Sequence, residues 1–443
     1  MKMRSILLVA LMAIAAAAFQ SCKSDNSADA SDLLKTVPSD ASLVAVANVE
    51  SLLEKAGCEV DGSEIKPGKE ISGLIPQITD QRLKKLATAF YNGESGIDPT
   101  VALIFTEGYY TYVTGIVSEP AKFKKIVEEN YGTQFTEQNG VEMASAVAMA
   151  DNHFWINVNQ SSVDPAMIKH FLSLAKDQSF LSNSYSEKLE KIDKDVKGWG
   201  SVSGMLNTAN LGFQQRATVQ VAMQMLFEDV QNFTFDLEFS KGEMTSEIAL
   251  LNSKGKTAKF LFPSEKIDLA TVEKLGGNAD MVFAMAVPAK LVKQIQEDAS
   301  KKGPSMLGVY SQMLSCIDGT VAIAGSQNSA KGVITTTGEN TSDLVSVLTG
   351  MGMTVNKEGK LLMFSQGTLI NGKPVSEMAA ELKGATAGAV FSGDMMKENG
   401  KDYGISGAAL KLEPKDGGMT LEIKAISKDK DENILITILK NIK

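Results

Sequence analysis

The sequence predicts an α+β fold: two divergent repeats of antiparallel sheet, built from hairpins, with helices packed on one face. Three observations lead there. Short apolar/polar alternations turn back on themselves across glycines, single amphipathic helices sit between these hairpins, and the motifs of the first half recur in order in the second. Hairpins interleaved with single helices favour antiparallel sheets over the strict strand–helix alternation of a parallel nucleotide-binding fold.

The elements follow in chain order. Asp40 to Val49 is a strand that runs into an amphipathic helix, and extra helical material follows at Ser72 to Asn92. Asp98-Pro99-Thr100-Val101-Ala102 opens a second strand, and the strand after it passes Gly115. Ser118-Glu119-Pro120 places a capping hydroxyl, an acid and a first-turn proline ahead of Phe123, Ile126 and Val127, which share one helix face. Asn152 to Asn157 alternates as a strand, Asp164-Pro165 opens a helix, and Asn207 to Asn232 carries further helix. Phe233 to Phe239 alternates apolar and polar, Lys241-Gly242 turns the chain, and Met244 to Leu250 alternates back, as a hairpin with one wet face does. A strand at Thr257 to Leu261 closes the first half.

The second half repeats this order. Asp40 to Val49 matches Asn278 to Val287 without gaps; Asp98 to Ala102 matches Asp318 to Ala322, with Gly332 in the place of Gly115; Ser203-Gly204-Met205 matches Ser392-Gly393-Asp394. Leu237-Glu238 and Gly242 to Ile248 match Leu412-Glu413 and Gly417 to Ile423 with the spacing kept, around the favoured Asp416-Gly417 turn. Lys373-Pro374 takes the place of Asp164-Pro165, and Asp429 to Glu432 opens a final helix to Lys440. Four matches in one order indicate duplication. The boundary falls at Pro263-Ser264, giving residues 1–21 as a signal peptide, 22–36 as a polar tether, 37–263 as the first repeat and 264–443 as the second.

Lys2 and Arg4 precede an uncharged apolar run from Ile6 to Phe19, shorter than the roughly 20 residues of a spanning helix. Gln20-Ser21-Cys22 and a Ser/Asp/Asn-rich tail follow, an order that resembles the bacterial lipobox, though Phe19 and Gln20 depart from its usual Leu and small residue. The resemblance implies cleavage before Cys22 and acyl chains on it. Two or more chains anchor lastingly, at about 0.8 kcal/mol per buried methylene. Leu33-Leu34-Lys35-Thr36-Val37-Pro38-Ser39-Asp40-Ala41, with a strand ending in Val49-Glu50-Ser51-Leu52-Leu53, resembles a family of Bacteroidetes lipoproteins of unknown function. That resemblance implies a cell-envelope location, as an outer-membrane lipoprotein facing the periplasm or the cell surface. It brings no catalytic residues.

Losing residues 1–21 lowers the basic count from 44 to 42 against 53 acidic side chains, a formal charge of −11. An acidic body has no general affinity for nucleic acid or anionic headgroups, so the acyl chains hold the membrane. Cys58 and Cys316 are isolated, without metal or redox spacing, and read as buried small hydrophobes, with a disulfide between them as the alternative an oxidising compartment allows.

No motif declares a reaction, a cofactor or a metal. His153 and His170 are the only histidines; His153 is expected to face solvent on its strand and His170 to lie on the helix after Pro165. Gly200 to Gly204 has Val202 where a nucleophile elbow needs serine, and Ser253 to Lys256 lies in a glycine turn. Gly350-Met351-Gly352 lacks the third glycine of a dinucleotide loop. Asp429 to Glu432 lacks the glycine and distant glutamate of a calcium loop. Two features suit binding. Met223 and Met225 stand among glutamines between Phe213 and Phe227, in a stretch that reads as core packing or as an adaptable apolar contact. Tyr109, Tyr110 and Tyr112 stand at a hairpin tip, where they anchor a partner or pair across strands. The sequence is therefore read as a non-catalytic binding or scaffold module whose partner is an envelope protein or an apolar ligand. Its alternatives are a carrier holding an apolar ligand between sheet and helices and a carboxylate-based hydrolase.

Overall fold

Alternating strands need partners for their backbone groups, and here they find them in one large antiparallel sheet. The computed structural model describes residues 28–61, 64–78, 81–208, 212–302, 315–397 and 401–441. The signal peptide and Cys22 lie outside the described residues. Part of the expected tether is already body: Ala28–Asp29 pairs with Lys191–Ile192, and α1 (Ser31–Leu34) buries Leu33 and Leu34. Two adjacent leucines are too apolar to remain in a solvated linker.

The first half supplies β1 (Leu43–Asn48), β2 (Val101–Glu107), β3 (Tyr110–Ile116), β4 (Thr136–Gln138), β5 (Val141–Ala144), β6 (Val147–Ala150), β7 (His153–Asn157), β8 (Val196–Ser201), β9 (Asn232–Ser240) and β10 (Glu243–Leu251). The second supplies β11 (Met281–Val287), β12 (Ile317–Ser326), β13 (Ser329–Thr336), β14 (Thr354–Glu358), β15 (Leu361–Gln366), β16 (Ala387–Ser392), β17 (Ile405–Lys415) and β18 (Gly418–Ser427). Their pairings form one linear order, β4-β5-β6-β7-β3-β2-β1-β8-β9-β10-β18-β17-β16-β11-β12-β13-β15-β14, every neighbour antiparallel. Among the described residues β4 and β14 each pair on one side only, so no pairing closes this order into a barrel. The halves meet where β10 pairs with β18, from Glu243↔Ile426 to Ala249↔Thr420.

The register holds a row across the whole sheet. From Glu247 it runs through Asp236, Lys197, Val46, Leu103, Thr114, Trp155 and Ala148. From Glu422, the partner of Glu247, it runs through Lys411, Gly388, Ala284, Ala322, Val333, Met363 and Asn356. All these side chains point to one side, the back face, since strand side chains alternate with period two.

Helices cover both faces, which corrects the one-face expectation. On the back face α1, α6 (Pro165–Leu172) and α7 (Ser186–Glu190) pack over Val44, Val46 and Leu103, while α10 (Leu269–Glu273) and α13 (Val375–Ala380) pack over Val282, Ala322 and Val333. On the front face α2 (Val49–Lys55), α3 (Lys69–Leu74), α4 (Gln81–Tyr91), α5 (Pro120–Tyr131) and α14 (Ile434–Asn441) cover Ala102, Val113 and Phe154; α12 (Ser342–Gly350) covers Ile334 and Leu362. The reason lies in strands such as β2, whose apolar run Val101–Phe105 leaves no polar side for water. Cys58 and Cys316 are buried in separate clusters of this front layer.

One buried ion ties strands to helix. Asn48 ends β1 and caps α2, its side-chain oxygen accepting from Ser51 N at 3.1 Å. The Asp195 carboxylate, fully buried, accepts from Ser51 Oγ at 2.7 Å, from Lys55 Nζ at 2.8 and 2.9 Å, and from the Phe239 backbone N at 2.6 Å. It thus joins α2, the approach to β8, and β9. Removing one partner of such a set leaves an uncompensated buried charge, so Asp195→Ala is expected to destabilise by about 3–5 kcal/mol in urea unfolding. Ser51→Ala, which removes one hydrogen bond to this carboxylate, costs about 1.5–3 kcal/mol.

Asp98, before β2, carries the opposite sign of effect. Burial pushes its carboxyl up to about 7, against the Thr100 hydroxyl and N–H that donate to it and with the nearby Glu50 charge adding to the rise. The folded state holds this proton more tightly than the unfolded chain, whose value is 3.8, so the stabilisation is complete below pH 3.8 and lost as pH rises through about 7. At 1.36 kcal/mol per pKa unit the loss is at most about 4 kcal/mol. Asp98→Asn keeps an acceptor for Thr100, and its stability relative to the parent is expected to rise over that window; a constant difference from pH 4 to 8 contradicts the assignment.

Candidate functional site

The strands at the junction of the halves alternate with different chemistry on their two sides. On the front face β9 presents Phe233, Phe235 and Leu237, β10 presents Ile248 and Leu250, β18 presents Leu421 and Ile423, and β17 presents Leu410 and Leu412. Phe283 and Met285 on β11 and Ile323 on β12 continue the surface. Most of these side chains are half-buried, and Phe283 and Ile323 are 38% and 36% exposed. The helical layers of the two halves cover the flanks of the front face, and this central strip lies between them.

Glycines on β8 shape one side of the strip. A Cβ on Gly198 would sit 2.3 Å from the Phe235 ring, and one on Gly200 would sit 2.4 Å from Phe233. The two rings therefore lie down over the glycine strand, stacked with centroids 6.4 Å apart, and broaden the apolar floor.

The helix α9 (Phe213–Leu226) is the methionine- and glutamine-rich stretch noted in the sequence. Its described side chains are not core: none is buried, Met223 is half-buried, and Val221 and Leu226 are 54% and 41% exposed. The side chain of Met225 lies outside the described residues. After α9 the chain returns to the sheet at Phe227, which clusters with Leu250, Leu412 and Met419 beside the strip. Leu226 O accepts from Leu261 N at 2.9 Å, and Leu261 O accepts from Gln294 of α11 (Ala289–Lys302) at 3.3 Å. Leu261 thus ties the end of α9 to α11.

The back face of the same strands is an ionic ladder. Glu247 and Glu422 stand directly opposite each other, a like-charge pair that needs cations. Lys415 Nζ reaches both Glu247 oxygens, at 2.6 and 2.8 Å; Lys411 Nζ reaches Glu422 at 2.9 Å and Glu413 at 3.2 Å; Lys424 Nζ reaches Glu243 at 2.9 Å and Glu381 at 3.4 Å. Burial works against the charge on Lys411, yet the Glu422 and Glu413 carboxylates outweigh it and hold its pKa above the usual range. Asp236 is shifted upward, first by burial, with the Glu247 backbone N–H at 3.0 Å opposing and the Glu247 charge reinforcing. The ladder's carboxylates are thus bound to lysines or backbone.

The tyrosines separate. Tyr109 is 89% exposed at the tip and Tyr110 38%, but Tyr112 is core: its ring stacks on Phe105 and meets Phe171 of α6 edge-on, both at 5.3 Å. Strand alternation leaves open which side is covered, and α6 covers this one. His153 does not simply face solvent: it stacks on Trp155 at 5.8 Å, its Nδ1 lies 2.8 Å from Asp151 O, and its Nε2 is buried. His170 lies near the end of α6, exposed. No group of His, Cys, Asp and Glu suited to a metal occurs among the described residues. The sequence reading missed the central strip because no single segment carries it; two hairpins, one from each half, and the strand β11 must be brought together before it exists.

No protein-family model matches the chain, and no curated protein is similar to it. Two solved structures similar to part of it are crystal forms I and III of TP0453, each 11% identical. They cover 78% of this chain and 94% and 96% of their own, with TM-scores of 0.28 and 0.30.

Proposed function

We propose that this chain is a lipid-anchored cell-envelope protein that works by binding, not catalysis, and that the front face at the junction of its halves seats an apolar ligand. The carrying observation is the strip itself. It spans β9, β10, β18, β17 and β11, is apolar apart from Ser246, and is only half-covered. Surfaces of that kind mark interaction sites, at roughly 25 cal/mol per Å² removed from water. An uncharged floor gives no handle for nucleic acid or a charged substrate and suits a hydrocarbon chain.

The body is proposed to be a duplication with its boundary at Pro263-Ser264. Support comes from the sheet row centred on the Glu247–Glu422 pair: outward from it, both sides traverse a hairpin strand, a central strand and a two-strand unit in the same order. Two sequence matches coincide with the row, Glu247 with Glu422 and Val46 with Ala284. Elsewhere the ladder sets Val101 level with Thr320, Gly115 level with Ile334, and Ser201 level with Ser392, one or two residues from the sequence matches.

Anchoring rests on Cys22 and places the protein at the outer membrane, facing the periplasm or the cell surface. Mass spectrometry of the detergent-extracted chain is expected to show an N-terminal acylated Cys22, and Cys22→Ser to release the protein into the soluble fraction; an unmodified thiol at Cys22 contradicts it. The binding reading is tested by displacement of cis-parinaric acid from the full chain. Leu421→Glu is expected to weaken binding about tenfold or more, near 1.4 kcal/mol, while Ile370→Glu on an exposed loop leaves it unchanged. Equal effects of the two, or no binding by the parent chain, refute the seat.

A further inference from the structure

We infer that the second half carries a separate site for a small acidic sugar, a carboxylate on a hydroxylated carbon skeleton, between Lys274 at the end of α10 and Lys331 on β13. A cavity of about 230 Å³ opens there on the back face, against β15 and the edge strand β14. Its lining divides by chemistry. Lys274 and Lys331 are cationic, Thr354, Asn356 and Ser365 offer hydroxyl and amide groups, and Leu275 and Met363 give an apolar floor.

The charges are unusual for this protein. Its formal charge is −9, and many of its lysines are paired with carboxylates, yet no Asp or Glu lines this cavity. Lys331 Nζ donates to a backbone carbonyl, Leu275 O, at 3.2 Å, which leaves donors over, and among the described residues Lys274 has no side-chain partner. Two lysines lining one cavity with no carboxylate in its wall, the nearest placed being Glu358, which accepts from Asn356 Nδ2 at 3.3 Å, are complementary to a carboxylate.

The first half shows what this position looks like when it is only core. Counted outward from the Glu247–Glu422 pair, Lys331 is level with Tyr112, Met363 with Trp155, Asn356 with Ala148 and Ala324 with Phe105. Tyr112, Trp155, Ala148 and Phe105 are all buried, and α6 lays Phe171 over the aromatic cluster. In the second half the corresponding helix after β15, α13, packs further in, on β11 and β16, where α6 lies out on β5, and the aromatics give way to lysine, methionine, asparagine and alanine. The same place in the sheet is closed and apolar in one half, open and cationic in the other. Loss of packing alone would leave an apolar hole; the lysines and amide give it recognition chemistry.

Calorimetric titration of the full chain in detergent tests this, with D-glucuronate as ligand and D-glucose and inorganic phosphate as controls. Glucuronate is expected to bind with a Kd on the order of millimolar, as suits a ligand of this size. Glucose and phosphate are expected to bind at least about tenfold more weakly, since each lacks half of the recognition. Lys274→Gln and Lys331→Gln should each weaken glucuronate about tenfold, whereas Lys383→Gln on the exposed surface should not. Absence of glucuronate binding, equal binding of glucose or phosphate, or lysine variants that bind like the parent overturn the assignment.

Discussion

The pairing of β10 with β18 is the constraint on which the rest depends. Each strand is the second arm of its own hairpin, so without this ladder each half would end in an exposed edge of long, apolar strand. Seven residue pairs close both edges at once. At the centre Glu247 faces Glu422, and the pairing is tolerated because Lys415 and Lys411 approach from the same face. The lysines also favour this register, since a one-residue slip would carry every side chain of β18 to the opposite face and set Glu422 among leucines.

From that junction the two faces take their characters. The back face is polar at the centre and apolar beneath the helices on either side, so charge is concentrated where no helix covers the strands. The front face is apolar at the centre apart from Ser246, and its helical layers leave the centre only half-covered. Closing the sheet edge therefore creates the apolar strip: joining Phe235 and Ile248 to Leu421 and Leu410 makes a surface that neither half possesses alone. The Asp195 clip keeps one side of this surface in place, because it fastens β9 to α2 and to the approach of β8.

Much of this architecture was legible in the sequence where the signal is local. The hairpin Phe233 to Leu250 and its counterpart around Gly417 were readable from alternation and a turn glycine, as were the proline-opened helices α5 and α6. Register over longer range was not. Asp98 to Ala102 aligns by letters with Asp318 to Ala322, but β12 pairs irregularly between Ile317 and Val321, with Gly319 at φ +136°, and the ladder shifts by one residue. The face covered by a helix was equally invisible: Tyr110 and Tyr112 have the same alternation, and only α6 decides that one is core. Leu33 and Leu34 belonged to the body for a reason the sequence does contain, their hydrophobicity. The central strip and the lysine pocket had no local signature, because each is assembled from segments far apart in the chain.

Amide hydrogen exchange along β10 and β18 measures the junction directly. If the halves share one sheet, the backbone amides bonded across the β10–β18 ladder exchange as slowly as those within the β9–β10 and β17–β18 hairpins. Rapid exchange of the outward-facing amides of β10 and β18, with the inner hairpin amides still protected, would mean two separate sheets and would contradict the joined architecture.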